Sequence, residues 1–126
     1  MSKLYIQHIT YQLDILVNNS TTLIIGRLGT FNIPAGQYIY TGSAKKNMEK
    51  RIARHLKHDK NLKWHIDYLL NSPQASIVNV RLFPDAECQI NQNTTGIILI
   101  NGFGSSDCHS GCGSHLKYLG PNYSNV

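Results

Sequence analysis

Tyr38 and Tyr40, two residues apart in a strand-like run, and Arg51, Arg54, His55 and His58, in the helix-like run that follows, have types and spacing suited to chemistry. Alternation by two puts both phenols on one face of a strand, with Ile39 and Thr41 on the other. The i, i+3, i+4, i+7 spacing puts two guanidiniums and two imidazoles on one helical face, while Met48, Ile52 and Leu56 recur every four residues as an apolar stripe. Guanidiniums hold phosphate oxygens, and imidazoles move protons near neutral pH. Eight of the 12 Lys and Arg residues lie between Lys45 and Lys63, accompanied only by Glu49 and Asp59. That density suits phosphate neutralisation.

A second group sits late in the chain. Cys108, Cys112 and His115 are close enough in sequence to close around zinc, with Cys88 or His109 as a fourth ligand. The C-x3-C spacing is only one half of a finger pattern, however. Three cysteines, an odd number, do not make a paired disulfide framework. Thiols in a reducing compartment are more often buried, catalytic or metal-bound.

A chain of 126 residues with a formal charge of +5 and six histidines corresponds to one domain with an acidic partner, nucleic acid first. No run approaches the roughly 18 apolar residues of a membrane span. Met1-Ser2-Lys3 leads into strand-like sequence rather than a signal peptide, so a cytoplasmic, soluble protein is expected.

These residues need a scaffold, and the pattern supplies one. Residues 4–17 read as a strand whose second half alternates Tyr11, Leu13, Ile15 and Val17 against Gln12, Asp14 and Leu16. Asn18-Asn19-Ser20 is turn chemistry, residues 22–28 are a second strand, and a short extended piece follows Gly29. The strand ending at Gly42 and Ser43 completes an antiparallel meander, Gly42 being read as a residue free to adopt unusual backbone conformations. After the basic helix, residues 61–70 predict a helix that buries Leu62, Ile66, Leu69 and Leu70 and stops at Asn71-Ser72-Pro73. Within it His65 and Asp67 either hold a water or a phosphate as a functional pair or, the reading favoured because adjacent helix positions do not face each other, tie two helices together. Residues 76–83 read as a strand, and Pro84-Asp85-Ala86 as a helix start with Asp85 as cap and Glu87 in the first turn. Residues 97–100 are a further strand candidate, ahead of a glycine-rich segment from Gly102 to Gly113. The fold class expected is a small single α/β (α+β) domain, mainly an antiparallel sheet flanked by helices, with a frayed tail over 120–126.

The run YIYTGSAKKNMEKRIARHL resembles the second motif of the GIY-YIG nuclease family, in which a tyrosine-glycine strand end leads into a helix carrying an arginine and, four residues on, a histidine. Tyr40, Gly42, Arg51 and His55 match those positions. WHIDYLL (64–70), GFGSSDC (102–108) and SHL (114–116) are similar to an uncharacterised, Uri-type branch of that family, and the resemblance extends over about residues 8 to 119. Ile9-Thr10-Tyr11 stands where Gly-Ile-Tyr is usual, and Tyr40-Thr41-Gly42 where Tyr-Ile-Gly is usual. The resemblance implies a metal-dependent endonuclease in which Arg51 steadies the scissile phosphate and Glu87 holds magnesium or manganese. Tyr40, helped by Tyr11 or His55, would then activate water. With a free phenol pKa of ~10, about one tyrosine in a thousand is ionised at pH 7, so a phenol that stays neutral makes His55 the better base. Lys45, Lys46, Lys50, Arg54 and His58 would bind the nucleic acid, DNA before RNA.

Two other functions fit the same residues. One is a nucleic-acid-binding module without turnover; the other is a zinc-stabilised interaction domain built on the late Cys and His residues.

Overall fold

Period-two burial organises the first strand: TYQLDILV buries Tyr11, Leu13, Ile15 and Val17 on one face and turns Gln12, Asp14 and Leu16 to the other. The structure, a computed structural model, describes residues 8–57, 61–104 and 112–121. Its elements are β1 (Thr10–Val17), β2 (Thr21–Ile25), a short 3-10 turn (Gly26–Leu28), β3 (Gly29–Ile33), β4 (Gly36–Ser43), α1 (Met48–Leu56), α2 (His65–Leu70), β5 (Ala75–Phe83), α3 (Glu87–Gln92) and β6 (Leu116–Gly120). Four strands form one antiparallel sheet in the order β5-β1-β4-β6, flanked by helices. This is a small domain of mixed α/β content, as the pattern predicts.

The order of pairing differs from a simple meander. β2 and β3 pair only with each other, and β4 returns along the full length of β1. Ile25 and Ile33 are the buried residues of that hairpin and belong to the main core, so the hairpin is held by packing rather than by the sheet's hydrogen bonds. The late strand also moves. Of residues 97–100 only Ile97 bridges, to Tyr118, and the β4 edge is taken by β6. Period two is lost in β6 because Lys117 is buried, its ammonium donating to the carbonyls of Asn91 and Thr94 at 2.9 Å each. Asp85 does not cap α3; its carbonyl accepts the Thr10 hydroxyl instead.

One core holds these pieces together. Tyr11, Leu13, Tyr38 and Tyr40 from the sheet meet Ile66, Leu69 and Leu70 from α2, with Ile100 and Phe103 from the following loop. On α1 the inward positions differ from the expected stripe: Leu56 is 52% exposed while His55 is 2% exposed. Leu56 is the last residue of the helix, whereas the His55 ring finds a hydrogen-bond partner inside, which makes its burial tolerable. No helix among the described residues is long and apolar enough to cross a membrane.

Asp67 joins α2 to α1. Arg54 donates to both of its carboxylate oxygens at 2.9 Å, and the amides of Lys63 and Trp64 donate to Oδ2 at 2.8 Å each. Those two amides start α2 later than the apolar spacing suggests and leave Leu62 exposed. Burial alone would raise the Asp67 pKa, but the Arg54 hydrogen bonds and the Trp64 and Lys63 amides outweigh it, so the net shift is downward. A depressed carboxylate contributes stability that is present above its unfolded pKa of ~4 and lost as pH falls through the folded value. Asp67→Asn should therefore cost about 3 kcal/mol in denaturant unfolding at pH 7. The gap from wild type should narrow below about pH 4; a gap that is the same at pH 3 and pH 7 would show that the charge is irrelevant.

Candidate active site

A close approach of two strands sets the floor of the site. The β1–β4 register puts Tyr11 opposite Gly42, and a Cβ built on Gly42 would lie 2.5 Å from the Tyr11 hydroxyl oxygen and ring carbon. Gly42 has no positive φ, so it is required here for space and not, as its place at a strand end suggests, for an unusual backbone. The Tyr11 ring crosses it and brings its hydroxyl 2.6 Å from Nε2 of buried His55. Tyr40 stands beside the pair, its ring centroid 6.3 Å from Tyr11 and 6.2 Å from His55, with the edge of Phe103 packed against it. Burial pushes both phenols well above the ordinary tyrosine range, against the opposing pull of the Arg51 guanidinium. Both are therefore neutral at pH 7. Tyr38, on the same strand face as Tyr40, donates to the Pro34 carbonyl and packs on Tyr118, which is a structural role.

Trp64 arranges the cations. Arg54, Arg51 and Lys63 lie over its ring at 4.4, 4.8 and 5.2 Å from the centroid. Two of them have been given different work. Arg54, expected to bind nucleic acid, spends its guanidinium on Asp67 and the Asn61 carbonyl. Arg51 donates one hydrogen bond to the Ser43 carbonyl and lines the open groove above Tyr11 and Tyr40.

That groove has a volume of about 700 Å³. Lys45 and Lys46 stand on its wall, while Lys50 is exposed on α1 outside the lining. His58 lies outside the described residues, as do Cys108 and His109. Glu87, in the first turn of α3, is the single carboxylate among the described lining residues, and its Oε2 is 2.7 Å from Nδ1 of His115. His55 does not line the groove; its hydrogen bond to Tyr11 connects it to a residue that does. Gly104 closes the wall: its amide donates to His65 Nδ1, and a Cβ there would lie 3.1 Å from the Tyr40 ring.

Of the expected late donors, Cys88, Cys112 and His115 lie among the described residues. Cys112 and His115 meet Cys88, and the ligand atoms of the three lie within 4.8 Å of one another, a cluster able to hold a metal ion. The link between Glu87 and His115 is a site feature that spacing does not reveal, because 28 residues separate them. Trp64 could have been suspected from its position beside a basic helix, although its stacking on Arg51 and Arg54 needs the helix packing.

Gly42→Ala tests the floor directly. The added methyl cannot be accommodated without moving the Tyr11 ring, so unfolding free energy should fall by about 1–3 kcal/mol. Tyr11→Ala in the same background should recover part of that loss, because the displaced ring is gone. If Gly42→Ala is as stable as wild type, the close approach is wrong.

The family model of DUF123, a domain of unknown function, matches residues 10–125. No curated protein and no solved structure matches the chain. The matched span takes in all the strands and helices described, from Tyr11 on β1 to His115 ahead of β6. The chain thus belongs to the DUF123 family.

Proposed function

We propose that this protein is a metal-dependent endonuclease that hydrolyses phosphodiester bonds in nucleic acid, on the pattern of the GIY-YIG enzymes that its motifs resemble. The observation that carries the reading is convergence in one groove: a tyrosine hydroxyl bonded to a histidine, an arginine, and one carboxylate, with lysines on the wall.

The residues divide the work by position. Arg51 would steady the charge that grows on the phosphate oxygens, and Lys45 and Lys46 would hold flanking phosphates. Because the phenol stays protonated, Tyr11 would act by relay: its oxygen takes a proton from the attacking water while its own proton passes to His55 Nε2. The water oxygen then bonds to phosphorus, the phosphorus–ester oxygen bond breaks, and solvent protonates the leaving alkoxide. Tyr40 would position Tyr11 and the substrate rather than ionise. Glu87 fits a hard divalent cation, since one carboxylate plus substrate phosphate oxygens and water suffices for magnesium or manganese. Such an ion would polarise a phosphate oxygen as a Lewis acid.

A cleavage screen with magnesium or manganese over single-stranded, duplex and branched DNA and RNA tests the proposal. Cutting should stop with chelator, fall by about 10²-fold or more in Glu87→Gln and Arg51→Ala, and fall by ~10²–10⁴-fold in Tyr11→Phe. Lys45→Ala with Lys46→Ala should flatten the log–log salt dependence of duplex DNA binding by about 2 units. Salt-sensitive binding with no cutting on any substrate would replace the nuclease by a binding module. Wild-type cutting in both Tyr11→Phe and Glu87→Gln would remove these residues from the chemistry.

A further inference from the structure

Outside the groove's lining, and meeting it at His115, the chain gathers a second and chemically different set of donors. We infer that Cys88, Cys112 and His115 form a binding site for a soft or borderline transition-metal ion of the zinc class, with Glu87 as the outer carboxylate that orients His115. The inference does not depend on whether the groove cleaves anything.

The distances come first. The two sulfurs and the ring nitrogen lie within 4.8 Å of one another. Donors bound tetrahedrally to one zinc, with Zn–S of ~2.3 Å and Zn–N of ~2.0–2.1 Å, stand roughly 3.5–3.8 Å apart. Closing the set therefore needs the donors to approach one another by about an ångström. The three residues supply three of the four positions that zinc fills.

His115 is oriented independently of the sulfurs. An ionised carboxylate only accepts, so the 2.7 Å contact with Glu87 Oε2 favours a proton on Nδ1, and in the neutral imidazole Nε2 is then the nitrogen with a lone pair for a metal. A carboxylate fixing one nitrogen of an imidazole while the other meets a metal is the usual outer shell of a zinc-bound histidine. His115 is also 1% exposed and its main chain is fixed on both sides, its amide donating to the Phe103 carbonyl and its carbonyl accepting from the Thr41 amide.

The scaffold around the thiols is held without them. Asn91 on α3 donates to the Ser114 carbonyl at 2.8 Å, and Lys117 donates to the Asn91 and Thr94 carbonyls. These bonds clamp the Cys88-bearing helix to β6 and to the segment ahead of it that carries Cys112 and His115. Cys112 Sγ already lies near that helix, 3.9 Å from the Cys88 carbonyl and 3.8 Å from Gln92 Nε2. Thiolate and imidazole donors select zinc, copper(I) or iron over magnesium, so this site would not compete for the ion proposed at Glu87.

The full chain, purified under reducing conditions, should carry close to one equivalent of zinc. After chelator stripping, cobalt(II) should restore one equivalent with a near-ultraviolet sulfur-to-cobalt charge-transfer band, and that band should weaken in Cys88→Ser and in Cys112→Ser. Glu87→Gln should retain the band but bind cobalt about 10- to 100-fold more weakly. The melting temperature of the stripped wild-type protein should rise with added zinc, which gives a readout even if a cysteine variant fails to fold. Any of the following overturns the site: no metal taken up by stripped wild-type protein, cobalt bound without a charge-transfer band, or a Cys88–Cys112 disulfide in the mass spectrum of freshly purified protein.

Discussion

The Tyr11 ring lying across Gly42 is the contact on which the site depends. It requires a residue without a side chain on β4, a register that sets Tyr11 directly opposite it, and a helix that offers a hydrogen-bonding partner where the hydroxyl emerges. Each requirement fixes a different element. The glycine fixes how closely β4 can be crossed, the register fixes β1 against β4, and His55 fixes the rotation of α1. Shifting β1 by one residue would turn Tyr11 to the opposite face and present Gln12 or Thr10 instead. The catalytic reading and the packing of the core are thus the same constraint seen from two sides, since Tyr11 is also 1% exposed within the hydrophobic cluster.

Burial then decides which groups can do what. Removing the phenols from water penalises their anions, so both Tyr11 and Tyr40 keep their protons and a free phenolate is not on offer. What remains is a neutral hydroxyl with a histidine behind it, which can pass a proton without ever holding a charge for long. The cations are sorted by the same logic. Arg54 neutralises a fully buried carboxylate and is committed to holding α1 against α2. Arg51, three residues earlier and over the same tryptophan, keeps its guanidinium on the groove. Trp64 lets like charges sit close together because its π face stabilises each of them.

How far the sequence discloses this depends on whether the signal is local. The alternation of Tyr11, Leu13, Ile15 and Val17 and the four-residue recurrence near His55 are local, and they place β1 and α1. So does the pairing of the Tyr38 and Tyr40 faces. Interactions that close long loops carry no such signature. The assignment of Arg54 to Asp67 looks in sequence like one more exposed cation, and Leu56 looks like core because nothing in the spacing says that His55 has a phenol waiting for it. β6 is hidden by its buried lysine, which breaks the alternation in order to hold the end of α3. The cysteines are a mixed case: spacing groups the near neighbours Cys112 and His115 and leaves Cys88 as one of two candidates for a fourth ligand, and only the fold brings Cys88 to Cys112 across 24 residues.

Glu87 is where the groove and the cysteine–histidine cluster meet. Its side chain is 27% exposed, with one carboxylate oxygen committed to a histidine that is 1% exposed. A glutamate with no such bond would sample several rotamers, and a metal or substrate that needed one of them would first have to overcome that freedom. Fixing Oε2 on His115 removes most of it, because the remaining oxygen can then point in few directions. If His115 is in turn fixed by an ion on its other face, the order is inherited: soft donors position an imidazole, the imidazole positions a carboxylate, and the carboxylate presents a hard oxygen to the groove. The adjacency of Cys88 to Glu87 on a single turn of α3 then has a physical purpose, since one short helix serves both kinds of donor and a displacement of one is felt by the other.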